Sequence, residues 1–520
     1  TYGPVQWCRR TTVRRWWAAL QYLFGFLMAQ YPGFVYGSNE QQSPWADCER
    51  TVNWYPEPTQ SSASPHVASL YPCPGQEEYV TVADINGRAL FAMADRCFAV
   101  MGEHVYKVLD TNAASIVTNG TVTNDPNPAS IASNGDAGGE LLIGSGTNAY
   151  LLTIATNTLS ASIGALAGKC TMVGMIDGYF LSFDSAASKF YISALNNGAS
   201  WDATQYAQRS IAPDPWKAMV VDGNNQVWLI GEQTGEVWYD AGTSPFPFQP
   251  VPGSVFSYGT CAPYSVKLAT DRMIWLSQTA EGAGVVVAAA GLVPARISSY
   301  AVETAIAGYA RTSKITDAEA VVYSEQGHTF YCLTFPAANA TWVFDLSTGL
   351  WHERGVWDIS AGEYDFWGPR SHCYAFGKHL VANRETGMIC SMDTAHTTEC
   401  NGDLIRRLRV PPPLWLSESA RRMFVSRLEL LLEPGLGTSS GQGVDPQVMM
   451  RTSADLKTWS NTQLASAGTQ GSFGTRVYWT RLASSDRAWV PEIVVSDPIP
   501  WRIVGADIEG RNLQGLRADG

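Results

Sequence analysis

From about residue 81 to residue 400, apolar positions fall into runs of a few β-branched or aromatic residues, broken at short intervals by Gly, Asn, Asp and Pro. That period and punctuation belong to strands and turns, and they predict an all-β chain. The clearest stretch is Gly327-His328-Thr-Phe-Tyr331-Cys-Leu-Thr-Phe-Pro336, followed by Thr341-Trp342-Val-Phe-Asp345-Leu-Ser-Thr-Gly349-Leu-Trp351-His-Glu-Arg354. It reads as two short strands, a loop, a third strand, a tight turn and a fourth. The turn from Asp345 to Gly349 sets an Asx-type initiator and a glycine suited to positive φ between two apolar runs, which is hairpin chemistry. Such a unit is one blade of a β-propeller.

Looser copies recur at Leu90 to Val100 with Val105 to Val108, at Leu141 to Ile143 with Tyr150 to Leu152, and at Met172 to Met175 with Tyr179 to Phe183 and Lys189 to Ser193. Others follow at Ala218 to Val221 with Val227 to Ile230 and Glu236 to Tyr239, at Met273 to Leu276 with Val285 to Val287, and at Tyr374 to Phe376 with Leu380 and Val381. Repetition of a four-strand unit predicts radial architecture. The spacing is irregular, so six or seven blades fit equally well.

Flanking segments differ. Residues 28–80 are polar, aromatic and punctuated by proline, which excludes a core helix and predicts an extended N-terminal arm, able to close the ring by lending a strand to the last blade. Blades are assigned to 81–405. After the proline-marked stretch Arg406-Arg407-Leu-Arg409-Val-Pro-Pro-Pro-Leu414, alternation lengthens in the segments beginning at Met423, Gln447, Thr475 and Ala488, which predicts a β-sandwich-like domain over 406–510. Residues 511–520 read as a frayed tail. Residues 1–27 pair a basic segment with an apolar one, as a signal peptide does, but Gln21 interrupts the apolar run, and the segment is read as an upstream extension preceding a start at Met28.

A net charge of −12 argues against a protein that grips nucleic acid, whose affinity for phosphate comes from basic groups releasing counterions. It is compatible with a conduit past which a polyanion slides, and with an ordinary soluble enzyme. Lysine is scarce beside arginine, a skew towards buried or interfacial pairing. Arg406, Arg407 and Arg409 are candidates for docking onto an acidic partner, against the reading of a solvated linker. The cysteines include no Cys-x-x-Cys pair and are read as reduced, mostly buried thiols. His372, Cys373, His379, Cys390, His396 and Cys400 match no ligand spacing, and no metal is expected there.

Nucleophile and metalloprotease motifs are missing. Gly164-Ala-Leu-Ala-Gly168-Lys169-Cys170 is one residue short of a P-loop and reads as a blade connection, and Asp222-Gly-Asn-Asn225 reads as a hairpin turn, lacking a calcium loop's later acidic ligand. Ser453-Ala-Asp455-Leu-Lys-Thr458-Trp459 resembles a shortened Asp box from sialidase propellers, a structural hairpin even when complete. A glycosidase would also need two carboxylates facing each other across a sugar.

Several segments together resemble one family: Asp47-Cys48-Glu-Arg50-Thr-Val-Asn53-Trp-Tyr55-Pro56-Glu57, Tyr71-Pro72-Cys-Pro74-Gly75, the Gly327 to Arg354 blade, Asp445-Pro446-Gln-Val-Met-Met-Arg451 through Thr458-Trp459-Ser460, and Ser496-Asp-Pro-Ile-Pro500. The family is the packaged-DNA stabilisation, or tail nozzle, proteins of short-tailed bacteriophages. The resemblance implies a structural virion protein, not an enzyme and without cofactor, metal or membrane contact. It implies a ring, a homohexamer, below the portal-adaptor ring, with tail spike or fibre and plug or needle proteins as neighbours. Double-stranded DNA would pass without sequence-specific binding, and the protein would reside in the virion after assembly in host cytoplasm. The motif residues are expected to be structural. The alternatives are a carbohydrate-active tail propeller, a glycan depolymerase or sialidase-like enzyme, and a secreted binding propeller with paired cysteines.

Overall fold

A computed structural model describes residues 27–60, 64, 66–209, 213–278, 284–417 and 421–513. Residues 1–26 and 514–520, which hold most of the expected upstream extension and tail, lie outside it.

Among the described residues, six separate sheets have four strands each, and a seventh four-strand unit belongs to a ten-stranded sheet. In chain order the blades are Gly87–Ile116 (blade one), Ser130–Leu159 (two), Met172–Gln208 (three), Trp216–Pro250 (four), Lys267–Arg296 (five), Glu319–Arg354 (six) and Pro369–Asp393 (seven). Each of the seven repeats in the sequence lands in a different blade. Within blade six, the two short strands expected before Pro336 are one strand, His328–Phe335, and the blade's first strand is Glu319–Glu325 upstream. No turn residue interrupts Thr329 to Phe335, so the alternating run stays continuous.

Blade seven contributes only three strands of its own. Gly75–Thr81 pairs antiparallel with Met388–Asp393 and supplies the fourth, so the N-terminal arm closes the ring. Gly75 is required at the entry, because a Cβ there would collide with the carbonyl oxygen of His396.

The rest of the arm enters the sandwich. One sheet runs in the order Trp54–Pro58, Ala68–Pro72, Ile503–Arg511, Met423–Leu432, Val477–Ser485, with Leu27–Gln30 also paired to Ile503–Arg511. The other contains Arg407–Val410, Ala488–Val495, Gln447–Ser453 and Gln463–Ser466. Between the sheets lies an apolar core that includes Tyr31, Trp54, Leu428, Trp489, Trp501 and Ile503. Arg511 ends a paired strand and Leu513 packs on this core, so the beginning of the segment read as a frayed tail is held.

A helix, Tyr300–Thr312, interrupts the all-β pattern between blades five and six. Ser299 caps it by accepting from Val302 N, and Ala301, Val302 and Ile306 form its buried face. Cys390 and Cys400 are joined by a disulfide, which corrects the expectation of uniformly reduced thiols. The third strand of blade seven and the chain leaving it bring the two sulfurs together.

Candidate functional site: a polar junction of blade six, arm and sandwich

The arm strand Arg50–Val52 lies parallel to Trp351–Arg354 of blade six on one side and antiparallel to Arg407–Val410 of the sandwich on the other. It thereby fuses propeller and sandwich into a single ten-stranded sheet. Asp47, Cys48, Arg50 and Asn53 of the family motif lie on or beside this strand, and Trp351 and Arg354 lie on its blade-six neighbour.

Arg50 donates two bonds to Glu353, Nε to Oε1 at 3.2 Å and Nη2 to Oε2 at 2.7 Å, and Ser38 also donates to Glu353. The Glu353 carboxylate raises the Arg50 pKa further. Asn53 sits at φ 60°, a left-handed conformation that asparagine tolerates better than most residues. Its Nδ2 donates to the carbonyls of Gly355 and Arg406, both at 2.8 Å, while Oδ1 accepts from Gly355 N at 3.1 Å. One side chain therefore ties arm, blade exit and sandwich entry.

Arg409, fully buried, spends its guanidinium on the arm: to Glu49 Oε1 and Phe34 O at 2.6 Å, Thr51 Oγ1 and Gly33 O at 2.8 Å, and Gly37 O at 3.2 Å. Arg407 is also buried, lies over the Trp54 ring, and its pKa is pushed down to about 10 by that burial. Docking onto a partner is therefore corrected for both, since neither side chain reaches the surface. Arg406, partly exposed, stacks 4.1 Å from the centroid of Trp357. Asp47 accepts from Asn39 Nδ2 and Glu49 N, shaping the turn before the strand, and burial pushes the neighbouring Cys48 thiol up to about 12.

On the blade side, Tyr55 packs against Tyr71, His328 and Phe330. His328 Nδ1 lies 2.8 Å from Asp345 Oδ2, and this bond raises the imidazole pKa. Asp345 also accepts from Ser347 N and Thr348 Oγ1, and Gly349 takes φ 71°, the Asx-initiated turn expected from the sequence. Gly327, at φ 86°, makes the preceding turn. Tyr331 donates to Ser265 O, Trp342 Nε1 to the Tyr309 hydroxyl of the helix, and Trp351 Nε1 to Ile297 O, so these three stitch blade five and the helix to blade six. Arg354 lies buried among Tyr323, Phe330 and Trp367, each ring centroid 5.2 Å from its guanidinium carbon. Pro56 and Pro72 sit in the paired strands Trp54–Pro58 and Ala68–Pro72, and Pro74 precedes the closing strand.

Two motif groups lie on a sandwich hairpin, where Trp459 packs on the cluster that holds Val52 and Cys48. Asp445 accepts from Gln447 Nε2 and Ser466 Oγ, and Pro446 O accepts from Ala467 N, pinning one end of a sandwich hairpin. At its other end Asp455 accepts from Lys457 N and from Thr458 N and Oγ1, bonds that lower its pKa, while Trp459 stacks under Arg451. The sialidase-like segment is thus a turn. Gly164–Leu166 forms a 3₁₀ turn linking blades two and three, and Asp222 Oδ1 caps a hairpin by accepting from Asn224 N and Gln226 N. His372 and His379 stack on each other and Cys390 is bonded to Cys400; among the described residues no group of three or more His, Cys, Asp or Glu is placed to hold a metal.

Sequence reasoning missed a second polar cluster, in the propeller pore. Arg370 of blade seven makes two bonds of 2.6 and 2.7 Å to Glu319 of blade six, and also donates to Asn86 Oδ1 and Pro126 O. Arg384 adds two more bonds to Glu319. Arg88 of blade one donates to the carbonyls of Asn127, Gly102 and Thr123. These contacts knit the blades on either side of the ring closure. The pore leaves two cavities, of about 360 and 470 Å³.

A ring of blades continuous with a β-sandwich defines a β-propeller protein with a C-terminal β-sandwich domain. Sequence models of the bacteriophage P22 Gp10 β-propeller and β-sandwich match residues 35–397 and 413–511. The chain belongs to this family of packaged-DNA stabilisation, or tail nozzle, proteins, and the family is one of structural phage proteins. No curated protein matches the sequence. Among solved structures the chain is similar to the extracellular domain of BT4673 from B. thetaiotaomicron (7% identity, TM-score 0.41, covering 62% of this chain and 40% of that one). It is also similar to the N-terminal domain of Nup159 (9%, 0.37, 64% and 97%) and to BamB from Moraxella catarrhalis (7%, 0.37, 71% and 96%). This chain spans less than half the length of the BT4673 domain. Likenesses this distant carry no functional argument. No helix among the described residues is long and apolar enough to cross a membrane.

Proposed function

We propose that copies of this chain form a closed ring, a homohexamer, in a phage tail below the portal-adaptor ring. The ring extends the channel through which the genome leaves, helps to retain packaged DNA and conducts it during ejection. Double-stranded DNA runs along the ring axis, between subunits, without sequence-specific binding. The observation that carries this reading is the propeller's own pore, whose cavities of about 360 and 470 Å³ have the size of small-molecule pockets. A duplex whose major groove alone is about 12 Å wide has no passage there, so a conduit made from this chain lies between copies. The net charge of −12 supports sliding in place of gripping.

Closure is completed by loops or by a separate plug or needle protein, and spike or fibre proteins are the outer neighbours. The protein resides in the virion after assembly in host cytoplasm. The reading includes no catalysis: Glu49, Glu319, Glu353, Glu429 and Glu492 are each neutralised by an arginine. The test is DNA retention in particles assembled without the protein, before and after the purified chain is added. Leakage that the added chain prevents is expected. Particles that hold their DNA regardless, yet fail to degrade host glycan, would transfer the assignment to a depolymerase.

A further inference from the structure

A free cysteine in a core is usually a small apolar filler. Two in contact are different, because a pair of thiols can become one bond. Cys97 Sγ and Cys373 Sγ lie 3.6 Å apart, both buried, and among the described residues no other two free cysteines are in hydrogen-bond contact. Cys97 belongs to the second strand of blade one, Arg96–Met101, and Cys373 to the first strand of blade seven, Pro369–Ala375. The contact therefore spans the joint between the first blade and the last.

Both backbones are held. Cys97 pairs with Ala92 and Val108, and Cys373 with Leu380, so each sits inside a ladder and not at a frayed end. Their side chains enter one apolar cluster with Leu90, Met101, Leu380 and Ile389. A disulfide bond is about 2.0 Å long, so each sulfur has to move by less than about 1 Å to form one, a shift within the reach of side-chain torsion. The Cys390–Cys400 bond of blade seven leaves both thiols free.

We propose that Cys97 and Cys373 are a modification site, a disulfide that forms in the folded chain and joins blade one covalently to blade seven. The oxidant is a small-molecule disulfide of the oxidised-glutathione class. Cys373, 8% exposed where Cys97 is fully buried, reacts first: its thiolate attacks the oxidant, expels one thiol and becomes a mixed disulfide. The Cys97 thiolate then attacks the Cys373 sulfur and expels the second thiol. Two protons and two electrons leave the protein, and the oxidant departs as two thiols. The contact with Cys97 and burial push the Cys373 thiol up, so the first step is slow at neutral pH and quickens as pH rises. The reduced pair thus outlasts synthesis in a reducing compartment, and the bond forms afterwards. That timing rests on the virion role proposed above; the bond itself does not.

The ends of the loop so closed are 276 residues apart, and blades two to six lie wholly within it. A cross-link over so long a loop removes freedom from the unfolded chain and raises the midpoint of thermal unfolding.

The test is incubation of the full folded chain with oxidised glutathione, alkylation of the remaining thiols in denaturant, and mass mapping of a non-reducing digest. A linked pair of peptides holding Cys97 and Cys373 is expected, lighter by two hydrogens than the separate peptides, and formed faster at mildly alkaline than at neutral pH. The thermal midpoint should rise with the linked fraction, and Cys97→Ala, which keeps Cys390–Cys400, should show no such rise. Recovery of both residues fully alkylated after prolonged oxidation overturns the proposal without recourse to any variant. Glutathione retained on Cys373 with Cys97 still alkylated overturns it also, as does linkage that appears only once denaturant is added. An equal rise in midpoint in Cys97→Ala removes the bond as its source and with it the covalent closure. None of these measurements involves a particle, so a failure of DNA retention leaves them standing.

Discussion

In blades three to five, Trp216, Trp228, Trp238, Trp275, Phe190 and Phe248 interlock in one apolar cluster whose members all lie between Met172 and Ala289. Around blade six the joints are polar, and their partners come from opposite ends of the chain: Arg50 with Glu353, Asn53 with Arg406, Arg409 with Glu49. The first region follows from what neighbouring repeats bury. The second follows from what the arm must be attached to. Apolar packing holds blades side by side without fixing which distant segment joins them, whereas a two-pronged Arg–Glu pair accepts one partner in one geometry. Such buried pairs are a poor source of net stability but a strong penalty on any arrangement that separates them.

This contrast can be broken most sharply at Arg409. Arg409→Met leaves Glu49 buried beside orphaned carbonyls and is expected to cost about 3–5 kcal/mol in denaturant unfolding. Glu49→Gln added to it should recover part of that loss, through a coupling of about 0.5–3 kcal/mol. Full additivity would show that the pair does not work as a unit. Trp275→Ala should cost a comparable 3–5 kcal/mol or so, but by leaving a cavity, so that no second truncation nearby restores it. Gly75→Val forces side-chain atoms against the His396 carbonyl and is expected to cost about 1–3 kcal/mol. Its effect should appear as faster hydrogen exchange in Met388–Asp393 before any change in blade four.

Asn53→Ala removes bonds to Gly355 and Arg406 and puts alanine in a left-handed conformation, for an expected loss of about 1–3 kcal/mol. The last effect is one of pH. Burial lifts Glu399, which accepts from Gln76 Nε2, from 4.5 to about 7. Because the folded chain keeps this proton while the unfolded chain releases it, stability should fall as pH rises from about 4.5 to about 7 and level off above. Glu399→Gln should flatten that part of the profile, and an unchanged slope would remove Glu399 as its source.

Blades were legible in the sequence because each is local: Asp345, Thr348 and Gly349 announce their turn within five residues, and every repeat carries its own alternation. That the arm over 28–80 could lend a strand to the last blade was legible from prolines that bar a core helix there, although which residues form that strand was not. The helix at Tyr300–Thr312 was hidden in a strand-rich context, although Ser299 ahead of an alanine-rich segment with Glu303 in its first turn is a usable signal. Partners of Arg50, Arg88, Arg370 and Arg409 were not legible. Nothing near Arg409 distinguishes Glu49 from the other acidic residues, and only the folded path sets them 2.6 Å apart. The exposed appearance of the Arg406 to Arg409 stretch misled for the same reason, since an arm covers it that lies more than three hundred residues away in sequence.

The closing strand also imposes an order on synthesis. Gly75–Thr81 leaves the ribosome early, but its mate, Met388–Asp393, follows only some three hundred residues later. At about 5–20 residues per second, that is about 15–60 seconds during which a seven-residue strand with buried positions waits beside a growing arc of blades. During that interval the segment is a free β-strand in a cell filling with identical chains, each of which will present the same unpaired edge. Whether it folds onto its own last blade or onto a neighbour's is then a race decided by the speed of translation and the crowding of polysomes.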